Sequence, residues 1–180
     1  MRIIGGRLKG RKVILPKRFS SRPTTDFARE ALFNFLENQY DFSDAQFCDL
    51  FGGSGAISFE FISRGGLKAV CLELDTYNLK NIHENVKLLG VEAQMDVLRQ
   101  DAFKWVKRSE STFKIIFADP PFTRTEKYDQ LVSSIFAGPI LESGGMLILE
   151  HPEKWDANPE GIPFEKRTFG NQAFCIFTKP

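Results

Sequence analysis

The chain has 180 residues, 42% of them apolar and 26% charged, a makeup that fits one globular domain and excludes wholesale disorder. Its net charge of +1 conceals a split, because residues 1–25 carry eight bases and no acid while the remainder holds 16 bases against 23 acids. Cys48, Cys71 and Cys175 lie far apart in apolar runs, which argues against a disulfide framework and predicts reduced core thiols in a cytoplasmic protein. With His83 and His151 they offer no metal-ligand spacing, so no metal is expected. Neither an N-terminal apolar signal region nor a run long enough to cross a bilayer is present.

In chain order, Arg2 to Ile4 and Arg11 to Leu15 read as two short strands around the turn Gly5-Gly6-Arg7-Leu8-Lys9-Gly10, a β-hairpin. Apolar residues alternate with its bases, so the arm is expected to fold and to contact a polyanion, the alternative being a solvated tail. Pro16 and Pro23 break the chain. Thr24 or Thr25 is placed to cap a helix whose stripe is Ala28, Ala31, Leu32, Phe35 and Leu36, ending near Glu37. From residue 45, strand-like runs at Gln46–Phe51, Lys68–Leu74, Met95–Arg99, Phe113–Ala118 and Met146–Glu150 alternate with helical segments near 55–64, 76–89, 101–108 and 126–137. That order predicts a doubly wound α/β sheet. Two closing runs, Phe164–Phe169 and Ala173–Thr178, flank Gly170-Asn171-Gln172, and a tight hairpin there makes the last strand antiparallel.

Two motifs carry chemistry. Asp49-Leu50-Phe51-Gly52-Gly53-Ser54-Gly55 falls at a strand-to-helix turn, where glycines let backbone N–H groups approach a ligand and a helix N-terminus favours negative charge. A plain turn is the bland reading, and the third glycine of a dinucleotide fingerprint is missing. Phe51 is placed to line the pocket. Glu73 ends the second strand, where an acid accepts ribose hydroxyls, with Leu74 beside it and Asp75 as an N-cap. Asp101 ends the third strand, next to Ala102, and either accepts from an adenine amino group or caps a helix.

Asp119-Pro120-Pro121-Phe122 follows the apolar run 113–118. An aryl amine's lone pair is delocalised into its ring, so it attacks a methyl group poorly. A carboxylate from Asp119 and the Pro120 carbonyl would each accept one N–H and aim the lone pair, with the prolines holding the geometry. Phe122 would stack on the base. A rigid turn with an aromatic plug is the bland alternative. Together the motifs point to methyl transfer from S-adenosylmethionine to a planar exocyclic amine.

Here the chain resembles the bacterial 16S ribosomal RNA guanine-N2 methyltransferases of the RsmD type. The likeness runs through Arg2-Ile3-Ile4-Gly5-Gly6, Lys9-Gly10-Arg11-Lys12, Arg22-Pro23-Thr24-Thr25-Asp26, Arg29-Glu30-Ala31-Leu32-Phe33-Asn34, the Asp49–Ala56 loop and Asp119–Phe122. It implies a seven-stranded Rossmann-like methyltransferase sheet with helices on both faces. Residues 1–23 would form the basic hairpin extension and residues 24–180 the methyltransferase domain. It further implies S-adenosylmethionine as donor and a flipped guanine of 16S rRNA, guanine 966, as acceptor, in naked RNA or an assembling small subunit. By the same likeness Asp49, Gly53, Gly55 and Glu73 hold the cofactor, Asp119 to Phe122 grip the flipped base, and Arg22 to Thr24 lie over the cofactor mouth. Phe51, Gly52, Ser54, Leu74, Asp101 and Ala102 are expected beside them in the cofactor site. RNA contact would fall to Arg2, Arg7, Lys9, Arg11, Lys12, Arg18 and Arg22. Gly52 departs from the alanine expected there and is read as added flexibility. A monomer is expected.

Two other readings remain at this stage. The tetrapeptide serves the N6 amine of adenine equally, although a DNA-modifying enzyme would need a recognition domain that this length does not leave room for. A non-catalytic RNA-binding or assembly factor could keep the fold, and the intact Asp119, Pro120, Glu73 and Gly55 argue against it.

Overall fold

The computed structural model describes residues 1–16, 24–152, 155, 159 and 161–180, without the side chains of Phe122 and Arg124. Within these residues seven strands, β1 (Gln46–Asp49), β2 (Lys68–Leu72), β3 (Met95–Leu98), β4 (Phe113–Ala118), β5 (Leu141–His151), β6 (Glu165–Phe169) and β7 (Gln172–Thr178), form one sheet. Their order is β3-β2-β1-β4-β5-β7-β6. The first five run parallel, and β7 is antiparallel to both β5 and β6. The α/β class, the strand count and the antiparallel last strand all agree with the sequence reading.

Side chains alternate across the pleat, so each strand serves two cores. Phe47, Ile115 and Phe117 pack with Leu32, Phe33, Phe61 and Ile82 on one face, beside α1 (Asp26–Glu37), α2 (Ala56–Ser63) and α3 (Thr76–Leu89). Cys48, Ile116 and Ala118 face Val106, Leu131, Val132 and Ile135 on the other, beside α4 (Ala102–Trp105) and α5 (Tyr128–Ala137). All three cysteines are buried and unpaired.

Several boundaries differ from the sequence reading for physical reasons. Strand β5 begins at Leu141, five residues early, because the stretch before Met146 bulges as its register with β4 shifts between Phe113 and Ile115. Helix α4 is only four residues long, while a 3-10 turn over Phe122–Lys127 leads into α5. Thr25, not Thr24, caps α1, its hydroxyl accepting the N–H of Ala28 at 3.2 Å.

The amino-terminal hairpin is thinner than two strands. A single antiparallel bridge, Arg2 to Lys12, and flanking backbone hydrogen bonds such as Ile3 N–H to the Arg11 carbonyl (3.0 Å) hold it together. Ile3, Leu8 and Val13 are buried in the α1–α3 core, so the segment is fastened to the domain through its apolar residues. Glu60, fully buried on α2, fastens it again by accepting the N–H groups of Ile4 and Gly5 at 2.8 Å each. Arg29 and Arg64 neutralise that carboxylate at 3.6 and 2.9 Å, which a buried charge requires.

Candidate active site

The strand order reverses between β1 and β4, opening a crevice at the carboxyl ends of the strands, where α/β sheets bind ligands. A cleft of about 420 Å³ lies there. Of the residues expected to hold a cofactor, Thr24, Asp49, Phe51, Gly52, Gly53, Ser54, Glu73, Leu74, Asp101 and Ala102 line it. Gly55 sits beneath, at the N-cap of α2 with φ of 77°, and no side chain caps that helix, so its first N–H groups remain available. Arg22 and Arg18 lie outside the described residues.

Asp49 ends β1, fully buried, accepting from the Ser58 hydroxyl (3.0 Å) and the Phe51 N–H (3.3 Å). Burial nevertheless lifts its pKa to about 7, because loss of hydration outweighs those two donors. Glu73 accepts from Gly53 N–H at 2.8 Å and Asp75 N–H at 2.7 Å, and burial raises its pKa as well. Asp75 caps α3, accepting from Tyr77 and Asn78. Asp101 caps α4 through Lys104 N–H at 3.2 Å and also lines the cleft.

Gly52 is not a point of flexibility. Its N–H donates to the Leu72 carbonyl at 2.7 Å, and a Cβ there would collide with Cys71 Sγ and stand 3.1 Å from the Leu72 oxygen. The loop approaches β2 too closely for alanine beside a cysteine.

Asp119 and Pro121 line the same cleft, one residue beyond β4 and three beyond it. Among the described residues nothing donates a hydrogen bond to Asp119. Burial, then Glu150, then Asp49 drive its pKa well above the ordinary carboxylate range. The Pro120 carbonyl accepts from the Tyr128 hydroxyl at 2.8 Å, so it keeps one lone pair, not two, for an incoming amine. Phe122 belongs to the 3-10 turn, and its side chain lies outside the described residues.

Other residues at the site were not singled out from sequence. Phe103 meets Phe51 edge-on at 5.6 Å, and Asn78, Gln100 and Thr123 also line the cleft. Glu150 ends the apolar run of β5 as Glu73 follows that of β2, and that shared pattern was the available signal. Tyr128 and Gln172 carried none.

The basic residues spread along the hairpin instead of gathering at the cleft. Arg2 pairs with Asp26 at 3.2 Å near the start of α1. Arg7 bonds Gln94, ahead of β3, and Arg11 bonds the Leu88 carbonyl at 3.0 Å near the end of α3. Those two partners lie at the ends of elements remote from the cleft. Arg2, Arg7, Lys9, Arg11 and Lys12 are all exposed.

Comparison with known proteins decides the lineage. The family described as Conserved hypothetical protein 95 matches residues 1–178, and the ribosomal RNA small subunit methyltransferase D of Haemophilus influenzae is 30% identical over 166 residues, 86% of this chain and 84% of that protein. The chain belongs to the RsmD-type methyltransferase family. YlbH of Bacillus subtilis is 31% identical across 99% of both chains. The solved structure of yhhF from Escherichia coli superposes with a TM-score of 0.85 at 28% identity, covering 99% of this chain and 97% of that one. The Rossmann-like sheet is therefore the RsmD-type fold. No helix among the described residues is long and apolar enough to cross a membrane, and no cluster of His, Cys, Asp and Glu there is suited to a metal.

Proposed function

We propose that this chain transfers a methyl group from S-adenosylmethionine to the N2 amine of a guanine in 16S rRNA, guanine 966 by its family. The observation that carries the proposal is the open carboxylate of Asp119, facing the cleft that the glycine loop and Glu73 line.

The cleft suits the donor on chemical grounds. Asp49 is a buried carboxylate lacking a cation among the described residues, and the ammonium of a methionine moiety would supply one. The uncapped first turn of α2 would take the matching carboxylate. Glu73 would accept from the ribose hydroxyls, Phe51 and Phe103 would flank the purine, and Asp101 would meet its amino group. When bound, S-adenosylmethionine provides an electrophilic methyl on a good leaving group. The protein's share is position. Asp119 accepts an amine N–H, turns the nitrogen lone pair out of conjugation and aims it. Its raised pKa suits the carboxylate to receive the amine proton.

The exposed bases of the hairpin, Arg2, Arg7, Lys9, Arg11 and Lys12, would hold rRNA phosphates along one side of the domain, most in RNA folded within a small-subunit assembly particle. The domain division at residue 23 and a monomeric state belong to the same reading. Labelled S-adenosylmethionine incubated with unmethylated small subunits tests it: label should enter the RNA with the wild type and fall at least ~100-fold with Asp119→Asn, whose cofactor affinity stays intact. Equal transfer by that variant would remove Asp119 from the chemistry.

A further inference from the structure

Ala118 and Leu149 are register partners in the parallel β4–β5 ladder, so the next residues, Asp119 and Glu150, leave neighbouring strands at the same level. Strands in a sheet stand about 4.8 Å apart, which brings the two carboxylates alongside each other. Glu150 is 6% exposed. Gln172 Nε2 donates to its Oε1 at 2.6 Å, and the Thr24 hydroxyl donates to its Oε2 over a long 3.4 Å. The orientation of the Gln172 amide is fixed, since its oxygen accepts from the Thr25 N–H at 2.9 Å. Neither Glu150 nor Asp119 forms an ion pair among the described residues, and after burial the charge of Glu150 is the next cause of the raised Asp119 pKa.

Burial raises the pKa of both carboxyls, and a ligand edge with two adjacent donors is what would stabilise the pair as acceptors. Guanine presents one, N1–H beside N2–H; adenine places a lone pair at N1, and cytosine places one at N3. We propose that Glu150 determines specificity in the acceptor site, Oε2 accepting the N1–H of the target guanine while Asp119 accepts from its N2 amine. Thr24 lines the cleft and yields its long contact as the base enters. The proposal rests on the guanine-N2 reading. It also gives the amine's ring a second anchor now that the Pro120 carbonyl is shared with Tyr128.

The test uses small subunits reconstituted from ligated 16S rRNA carrying either guanosine or 2-aminopurine riboside at the target. 2-Aminopurine keeps the N2 amine but has a lone pair at N1. Wild type should prefer guanosine by ~100-fold or more in kcat/KM, as sites built around a donor reject analogues lacking it. In Glu150→Gln the amide oxygen stays with Gln172, so its NH2 faces the base and donates to N1 of 2-aminopurine. The guanosine preference should therefore fall at least ~10-fold, while the melting temperature and cofactor affinity hold. Glu150→Asp retains the charge, so it should lower kcat/KM yet keep the preference. An unchanged ratio in Glu150→Gln, with N2-methylguanosine still formed by wild type, overturns the assignment alone. Equal wild-type rates on the two particles overturn it without any variant. Absence of N2-methylguanosine from the wild-type guanosine reaction overturns the guanine reading and the assignment together.

Discussion

The backbone N–H of Gly53 donates to Glu73 Oε2 at 2.8 Å. The glycine loop after β1 and the acid after β2 are thus joined before any ligand arrives, and Glu73 Oε1 is held in turn by Asp75 N–H. A carboxylate fixed at both oxygens presents its remaining lone pairs in one direction, which is what recognition of a rigid diol requires. Glu73→Ala should raise the S-adenosylmethionine dissociation constant at least ~10-fold by removing both a ligand contact and the loop's tether. Calorimetric titration reads this directly, and an unaltered constant would put the ribose elsewhere.

Asp49 makes cofactor binding sensitive to pH. With its pKa near 7 it is largely protonated at pH 6, and an ammonium partner favours the ionised form. Affinity should rise between pH 6 and 8, and binding below pH 7 should release a proton, seen as an enthalpy that varies with buffer ionisation heat. The free protein follows the opposite sign. A folded pKa raised above the unfolded value gives stability that is present below about pH 4 and lost as pH climbs through 7. Asp49→Asn should flatten both profiles, measured by titration and by thermal unfolding. A pH-dependent affinity that survives the substitution would assign the proton elsewhere.

Gly52 and Cys71 should behave as a coupled pair. Gly52→Ala forces a Cβ onto Cys71 Sγ and should cost about 1–3 kcal/mol, the range for overpacking. Cys71→Ala removes the sulfur and leaves space for that methyl group. The double variant should therefore be more stable than the sum of the single losses predicts, by a coupling of about 1 kcal/mol or more in urea unfolding. Strict additivity would show that the loop relaxes without reference to β2.

These residues also mark how far the sequence could be read. The apolar run 113–118 and its parallel neighbours were legible because buried strands are continuous hydrophobic stretches, and Asp119 follows one directly. Asp75 was legible as a cap, and the α1 cap as Thr24 or Thr25, because capping chemistry is local. Gly52 was misread because its constraint is a sulfur on the next strand, nineteen residues on and invisible to local pattern. The Tyr128 hydroxyl on Pro120 and the Gln172 amide on Glu150 escaped for the same reason: each depends on a tertiary approach. The Leu141 start of β5 was not legible because the polar and glycine stretch 142–145 interrupts the apolar run, and the register with β4 shifts there.

Arg7 and Arg11 each spend one hydrogen bond on the domain, leaving the other guanidinium donors for phosphate. Reversing both charges to glutamate should weaken small-subunit rRNA binding and make the slope of log affinity against log salt shallower by about 1–2. The melting temperature should change little at these exposed positions. An identical slope would confine RNA contact to the cleft end of the hairpin.

The methylated nucleoside distinguishes the acceptors most directly. Small subunits from cells lacking this gene would be incubated with the enzyme and labelled S-adenosylmethionine, then digested and resolved as nucleosides. Label should appear in N2-methylguanosine alone. Label in N6-methyladenosine would contradict the acceptor while keeping the chemistry of Asp119, and no label despite measured cofactor binding would contradict the assignment of this chain as the catalyst.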